Sequence, residues 1–190
     1  MDRRVLALVL VTACGDDVQI SYEPVPVGAC DGVVMNVRGE SGIHVPFATA
    51  IEWSTNPPVT GAHYPSWAGW NRHYQELDRG FYVHNAEHGG IVLLYNCPAG
   101  CPDVVAALLD VTRTAAPDAT CSAPIRQRII VAADPLMPPE VQVAAVAWNR
   151  LYTASCFDPY IATFAREMYA RAPEDFCADG NPLAGMPIAP

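Results

Sequence analysis

The sequence contains no lysine: its 11 basic residues are all arginine, against 20 acidic residues and a formal net charge of −9. A surface with this acidic excess is not attracted to nucleic-acid phosphates or to anionic lipid headgroups. The sequence also lacks the roughly 18-residue apolar run that a membrane-spanning helix needs. We find no phosphate-binding loop, no paired-carboxylate motif and no nucleophile beside its base. These absences argue against a nucleic-acid-binding protein and favour a binding role over catalysis, although enzyme status stays open.

The N-terminus has the features of an export signal. Residues 1–11 combine a charged start with a short apolar run, which is typical of a secretory signal peptide. Val11-Thr12-Ala13-Cys14-Gly15 then resembles the bacterial lipobox, in which small residues precede a cysteine that becomes lipidated. We therefore predict a lipoprotein signal peptide over 1–13 and a tether over 14–29, with an ordinary cleaved signal as the alternative. The protein would be exported and anchored to a membrane of the bacterial cell envelope through the lipid on Cys14.

Six cysteines remain beyond Cys14, and an even number in an exported chain favours disulfides. They are Cys30, Cys97, Cys101, Cys121, Cys156 and Cys177. The sequence does not select their connectivity. The C-x3-C spacing of Cys97 and Cys101, flanked by prolines, favours a stapled surface loop over a redox or metal pair. We expect residues 30–190 to form a single disulfide-stabilised domain.

Hydrophobic patterning predicts an α+β domain in which helices pack on a short mixed sheet. Apolar runs of strand length occur at 32–38, 90–95 and 128–133. Segments that start near a proline and continue with helical spacing occur at 102–114, 139–151 and 158–168. Residues 54–70 are dense in proline, glycine and aromatics, which predicts a long rigid loop.

All five histidines fall within 45 residues, and they are His44, His63, His73, His84 and His88. Imidazole is the commonest protein ligand for zinc and copper. His84 and His88 are four residues apart, so one helical turn would place both rings on the same face. Loops would bring His44 and His63 as third and fourth ligands. Because three or four imidazoles with few carboxylates suit copper(II) or zinc, we predict a copper or zinc ion as cofactor.

Glu87 lies among these histidines as a further ligand, an acceptor that orients an imidazole, or a general base. His84-x-x-Glu87-His88 matches the H-x-x-E-H pattern of inverted zinc peptidases, so a metal-dependent hydrolase with Glu87 as base is one alternative. That motif needs a continuous helix, whereas Gly89-Gly90 and a strand-like run follow here. A second alternative is a non-metal envelope interaction module with structural histidines. We favour metal handling or sensing, with a small ligand or an envelope protein as an unidentified partner.

Several of these strings, in order, resemble the bacterial family called domain of unknown function 3105. The resemblance rests on His44, the loop 56–63, the core 84–90 before a strand ending in Tyr95, Ala147-Trp148 and a late helix leading to a cysteine. It covers roughly residues 43–177. His73 does not fit the family's pattern, and most cysteines look peculiar to this branch. The resemblance implies an exported or membrane-attached protein and brings no established activity.

Overall fold

A computed structural model describes residues 7–11, 18–25, 30–38 and 40–189. Within these residues the chain forms eleven strands and three helices. The strands are β1 (Ala7–Val11), β2 (Val18–Pro24), β3 (Val33–Arg38), β4 (Ile43–His44), β5 (Ala62–His63), β6 (Arg72–Tyr74), β7 (Ile91–Tyr95), β8 (Ile129–Ala133), β9 (Val143–Ala147), β10 (Arg150–Ala154) and β11 (Met186–Pro187). The helices are α1 (Arg79–Glu87), α2 (Pro102–Thr114) and α3 (Tyr160–Met168).

Nine of these strands form one mixed sheet in the order β1-β2-β3-β10-β9-β7-β8-β6-β11, while β4 and β5 form a separate pair. β8 is parallel to both of its neighbours, β7 and β6. The other neighbouring strands of the large sheet are antiparallel. The predicted α+β class with a mixed sheet is therefore correct, and the sheet has more strands than the short one expected.

The central strands are covered on both faces. In β7, Ile91 and Leu93 pack with the core under α2 and α3, whereas Val92 and Leu94 pack with the core under α1. All four side chains are fully buried. Because neither face meets water, the run is continuously apolar rather than alternating, as expected of a central strand.

The helix expected over residues 139–151 is wrong. This segment forms the β9–β10 hairpin, and Ala147 pairs with Arg150 across the two-residue turn. β9 lies between β10 and β7 and is buried along its whole length. Small and β-branched residues fill both of its faces, so no period of two distinguishes the strand from a buried helix. Asn149 supplies the positive φ, 62°, that the tight turn requires.

The segment expected to be a tether contributes to the sheet. β2 lies within 14–29 and pairs with β3 from Gln19 opposite Arg38 to Pro24 opposite Val33. β1, inside the predicted signal peptide, pairs with β2 in turn. Cys14, the predicted lipidation site, lies outside the described residues.

Six cysteines form three pairs at disulfide distance. The pairs are Cys30–Cys156, Cys97–Cys101 and Cys121–Cys177, with Cα atoms 5.0, 5.7 and 5.0 Å apart. The stapled-loop interpretation of the C-x3-C motif is therefore correct. Such pairs indicate an oxidising, extracytoplasmic environment. Across the described ranges, no helix is both long and apolar enough to cross a membrane.

Candidate metal centre

Helix α1 carries the histidine-rich string and has defined ends. Asp78 caps its N-terminus by accepting a hydrogen bond from the backbone N–H of Gly80. At its C-terminus the N–H groups of Gly89 and Gly90 donate to the carbonyls of Ala86 and Asn85. This is a Schellman cap, and Gly89 has the positive φ, 78°, that it requires. The glycine pair therefore ends the helix and turns the chain into β7.

Two side chains of α1 and two residues of the β4–β5 pair meet at one place. His84 and Glu87 are three residues apart on α1, hence neighbours on its surface, and both are buried. His44 in β4 is paired with His63 in β5. His63 is fully buried beneath the surface, whereas residues 41–44 are exposed.

His44, His63, His84 and Glu87 each place one ligand atom in a group whose members all lie within 4.8 Å of one another. Four points with that largest separation lie within about 2.9 Å of a common centre, compared with about 2.0–2.2 Å for a zinc–nitrogen or zinc–oxygen bond. Side-chain movements of less than about 1 Å would therefore bring all four atoms to bonding distance of one ion.

The imidazoles of His63 and His84 are oriented by backbone carbonyls. Nδ1 of His63 lies 2.9 Å from the Gly61 carbonyl oxygen, and Nδ1 of His84 lies 2.6 Å from the Tyr64 carbonyl oxygen. A carbonyl only accepts, so we assign the ring proton to Nδ1 in both residues. This leaves the lone pair on Nε2. At metal sites a backbone carbonyl at the other ring nitrogen commonly orients a histidine ligand in the same way.

The carboxylate of Glu87 is in contact with the imidazole of His63. Its Oε2 is 2.8 Å from Nε2 of His63, yet that nitrogen has no aligned hydrogen-bond partner among the described residues. Burial raises the pKa of the Glu87 carboxyl, but the contact with His63 outweighs this and the pKa falls below its usual range. A carboxylate and an imidazole lone pair at this distance repel each other unless a cation, either a proton or a metal ion, lies between them.

The His84 imidazole is neutral over a wide pH range. Burial lowers the pKa of His84 to about 4, well below the usual value for an imidazole. Its lone pair is therefore available at neutral pH, which is the form that binds metals.

His88 and His73 lie outside this group of four. The His88 ring lies between Trp67 and Phe176, with ring centroids 4.2 and 4.1 Å away, and its Nε2 is 3.6 Å from Oε2 of Glu174. Burial lowers the pKa of His88 to about 3. The His88 ring still lies beside that of His84, with centroids 4.7 Å apart, as the four-residue spacing predicts, but it does not belong to the group of converging ligand atoms. His73, on β6, contacts the hydroxyl of Tyr95 at 2.9 Å.

A buried ion-pair network supports the end of α1 behind His88. The Arg128 guanidinium, 1% exposed, pairs with Asp118 and Asp175 and donates to the His88 carbonyl. Burial raises the pKa of the Asp118 carboxyl, but hydrogen bonds from Tyr169 and Thr120 and the charge of Arg128 outweigh it and lower the pKa to about 2. The network fixes the turn that follows the histidine-rich helix.

Two neighbours of the site were not expected there from the sequence. The backbone of Gly42 lies against the Glu87 carboxylate, so a side chain at this position would collide with it. The Trp148 indole approaches the same place, with its ring edge-on to the His63 imidazole at 6.0 Å. Gly42 and Trp148 are distant from α1 along the chain, and only the fold reveals their proximity.

The fold and this cluster define an α+β domain with a candidate centre of three histidines and one glutamate. The model of the family described as "Protein of unknown function (DUF3105)" matches residues 44–179, and the chain belongs to that family. All four clustered residues lie in the matched range. No curated protein and no solved structure matches the chain.

Proposed function

We propose that this protein is an exported, lipid-anchored protein of the bacterial cell envelope that binds a zinc or copper(II) ion through His44, His63, His84 and Glu87. The convergence of one ligand atom from each residue carries the proposal. The protein would serve in handling or sensing that metal.

The donor set favours these two metals. Three imidazole nitrogens and one carboxylate oxygen form a borderline set, whereas magnesium and calcium require mostly oxygen ligands. Four protein ligands also suit the tetrahedral geometry of zinc. The local environment agrees, because three of the four ligands are buried and two imidazoles are held by backbone carbonyls.

The geometry favours a binding role over hydrolysis. A zinc hydrolase keeps an open coordination position for water, and its general base is not a ligand of the metal. Here an oxygen of Glu87 belongs to the converging group, so this carboxylate is better suited to hold the ion. His44, on the exposed segment, is the ligand most easily exchanged.

Structural histidines alone explain only half of the geometry. Backbone partners at Nδ1 would suffice to hold His63 and His84 in place. The 2.8 Å contact between Nε2 of His63 and the Glu87 carboxylate additionally needs a cation between them, either a proton or a metal ion. Buried polar atoms in native proteins almost always have a partner, and an ion would supply one.

The proposed anchor rests on the sequence. Three cysteine pairs account for every cysteine except Cys14, which follows the lipobox-like residues. A Cys14→Ser variant should then partition into the aqueous phase of a detergent extraction, whereas the unaltered protein partitions into the detergent phase. Identical partitioning of the two would contradict the anchor and leave the metal site untouched.

Metal binding is tested on the full chain purified in detergent. After removal of metal with a chelator, calorimetric titration should give about one zinc or copper(II) ion per chain. His63→Ala and His84→Ala should each lose most of this binding, whereas His73→Ala, which removes a histidine outside the cluster, should retain it. No binding by the unaltered protein, or equal binding by all three variants, would overturn the proposal.

A further inference from the structure

A cavity lies at the end of the sheet, beside the turn of the β9–β10 hairpin. Its volume is about 450 Å³, within the range typical of small-ligand sites. Trp148, Asn149 and Arg150 line one side, and Met168, Arg171 and Pro173 line the other. None of these residues belongs to the candidate metal centre.

The fold places Arg150 and Arg171 in the wall of this cavity and Arg38 on the neighbouring strand. Arg150 pairs with Asn36 of β3, and Arg38 lies two residues further along that strand, so both side chains emerge on the same face of the sheet. Helix α3 covers this face. Tyr152 and its partner Val34, two residues away along the same strands and therefore on the same face, pack in the core under that helix. The chain then leaves the end of α3 and places Arg171 in the cavity wall.

These arginines, like most of those in the described ranges, have no carboxylate partner. Arg79 and Arg128 form ion pairs with aspartates, whereas no carboxylate in the described ranges lies within ion-pair distance of Arg38, Arg150 or Arg171. Burial lowers the pKa of Arg150, and the charge of Arg38 lowers it further. The negative charge of Glu23, on β2, acts in the opposite direction on the pKa of Arg150, but the two side chains do not form an ion pair.

A concentration of positive charge is unexpected in a protein of net charge −9. Arg150 donates to the neutral carbonyl of Asn149 at 2.9 Å. Guanidinium groups that lack an anionic partner at a cavity are suited to a ligand that supplies the anion, because their planar donors match carboxylate and phosphate oxygens. The cavity also has an apolar wall: the indole of Trp148, with Met168 and Pro173. Its chemistry is therefore amphipathic.

We propose that this cavity binds a small organic anion whose carboxylate or phosphate group is held by Arg150 and Arg171 and whose apolar part packs against Trp148. Arg38 adds to the positive potential from the neighbouring strand. The site is independent of the metal centre, although Trp148 borders both.

The test is an NMR titration of the full chain with phenyl phosphate, followed at the indole N–H of Trp148, which a Trp148→Phe variant assigns. Phenyl phosphate should shift this signal with saturation, inorganic phosphate should bind more weakly, and benzyl alcohol, which lacks the charge, should not saturate. Arg150→Gln and Arg171→Gln should weaken phenyl phosphate binding at least 10-fold.

Arg166→Gln is the matched control, because it removes the same charge from the exposed face of α3 outside this cavity. Its affinity should equal that of the unaltered protein. Saturation by benzyl alcohol, or equal weakening in all three arginine variants, would overturn the proposal, since binding would then depend on apolar contact or overall charge. Zinc titration of the Arg150 and Arg171 variants should be unchanged, so failure here leaves the metal proposal standing.

Discussion

Glu87→Gln separates a metal ligand from a structural carboxylate. Glutamine has nearly the same shape, so packing against Gly42 and Trp148 is preserved. The side chain is 10% exposed and lies 2.8 Å from Nε2 of His63. The substitution removes the negative charge, and its amide can donate to that nitrogen in the absence of metal. We therefore expect the metal-free Tm to change by no more than about 3 °C, equivalent to about 1 kcal/mol.

With zinc, the two proteins should differ clearly. At a zinc concentration of 100 Kd the unaltered protein gains about 2.7 kcal/mol, or about 5–11 °C in Tm for a chain of this size. Residues that merely support a ligand change metal affinity by about 10–100-fold, so we take about 100-fold as a modest effect for a ligand itself. At the same zinc concentration the variant then gains only about 0.4 kcal/mol, or about 1–2 °C.

The assay is thermal unfolding followed by circular dichroism, with and without zinc, after chelator treatment. His73→Ala should retain the full zinc shift. A full zinc shift in Glu87→Gln would show that Glu87 is not a ligand, and the absence of a shift in the unaltered protein would refute zinc binding altogether.

Three further predictions concern stability. Replacing both cysteines of the Cys30–Cys156 pair by alanine should lower the free energy of unfolding in urea by about 5 kcal/mol, compared with about 2 kcal/mol for the Cys97–Cys101 pair. The pairs are 126 and 4 residues apart in sequence, and the closure entropy grows with loop length. Equal losses would contradict this. The pKa of Asp118 is lower in the folded than in the unfolded protein, so the stability that this carboxylate contributes should be complete above about pH 4 and disappear as the pH falls towards about 2. Asp118→Asn should flatten the dependence of the unfolding free energy in urea on pH between these two values. An unchanged slope would exclude this contribution. Gly89→Ala should lower the free energy of unfolding more than Gly100→Ala. Both glycines have positive φ, which costs an alanine about 1–2 kcal/mol, but an added Cβ at Gly89 would also meet backbone at 3.0 Å, whereas one at Gly100 would meet nothing. Equal urea stabilities of the two variants would show that the steric contact at Gly89 is relieved.

The fold was predictable where local pattern and environment agree. Strands β7 and β8 appear in the sequence as isolated apolar runs, and α2 and α3 begin at prolines and keep a helical stripe. The pattern failed for β9, since a strand buried on both faces and filled by alanine and valine has the same composition as a buried helix. It also missed α1 beyond the His84–His88 turn, because that helix buries polar and apolar residues alike.

The candidate site was predictable only in part. The histidine cluster identified the region, and His44, His63 and His84 converge as the metal hypothesis required. The choice between Glu87 and His88 could not be made from spacing, because both follow His84 by about one turn. The tertiary contacts decided it: the His88 ring packs between Trp67 and Phe176, while a Glu87 oxygen lies among ligand atoms of His44, His63 and His84.

The sequence by itself determined the type of chain: acidic, rich in cysteine pairs, with its imidazoles concentrated in one half and its apolar runs at strand and helix length. These properties depend on composition and on neighbours along the chain. Tertiary structure alone decided which cysteines pair, which histidine nitrogen is free, and which arginines share a cavity. Such distances join residues remote in sequence, and they are set by the strand order of the sheet and the turns between its elements.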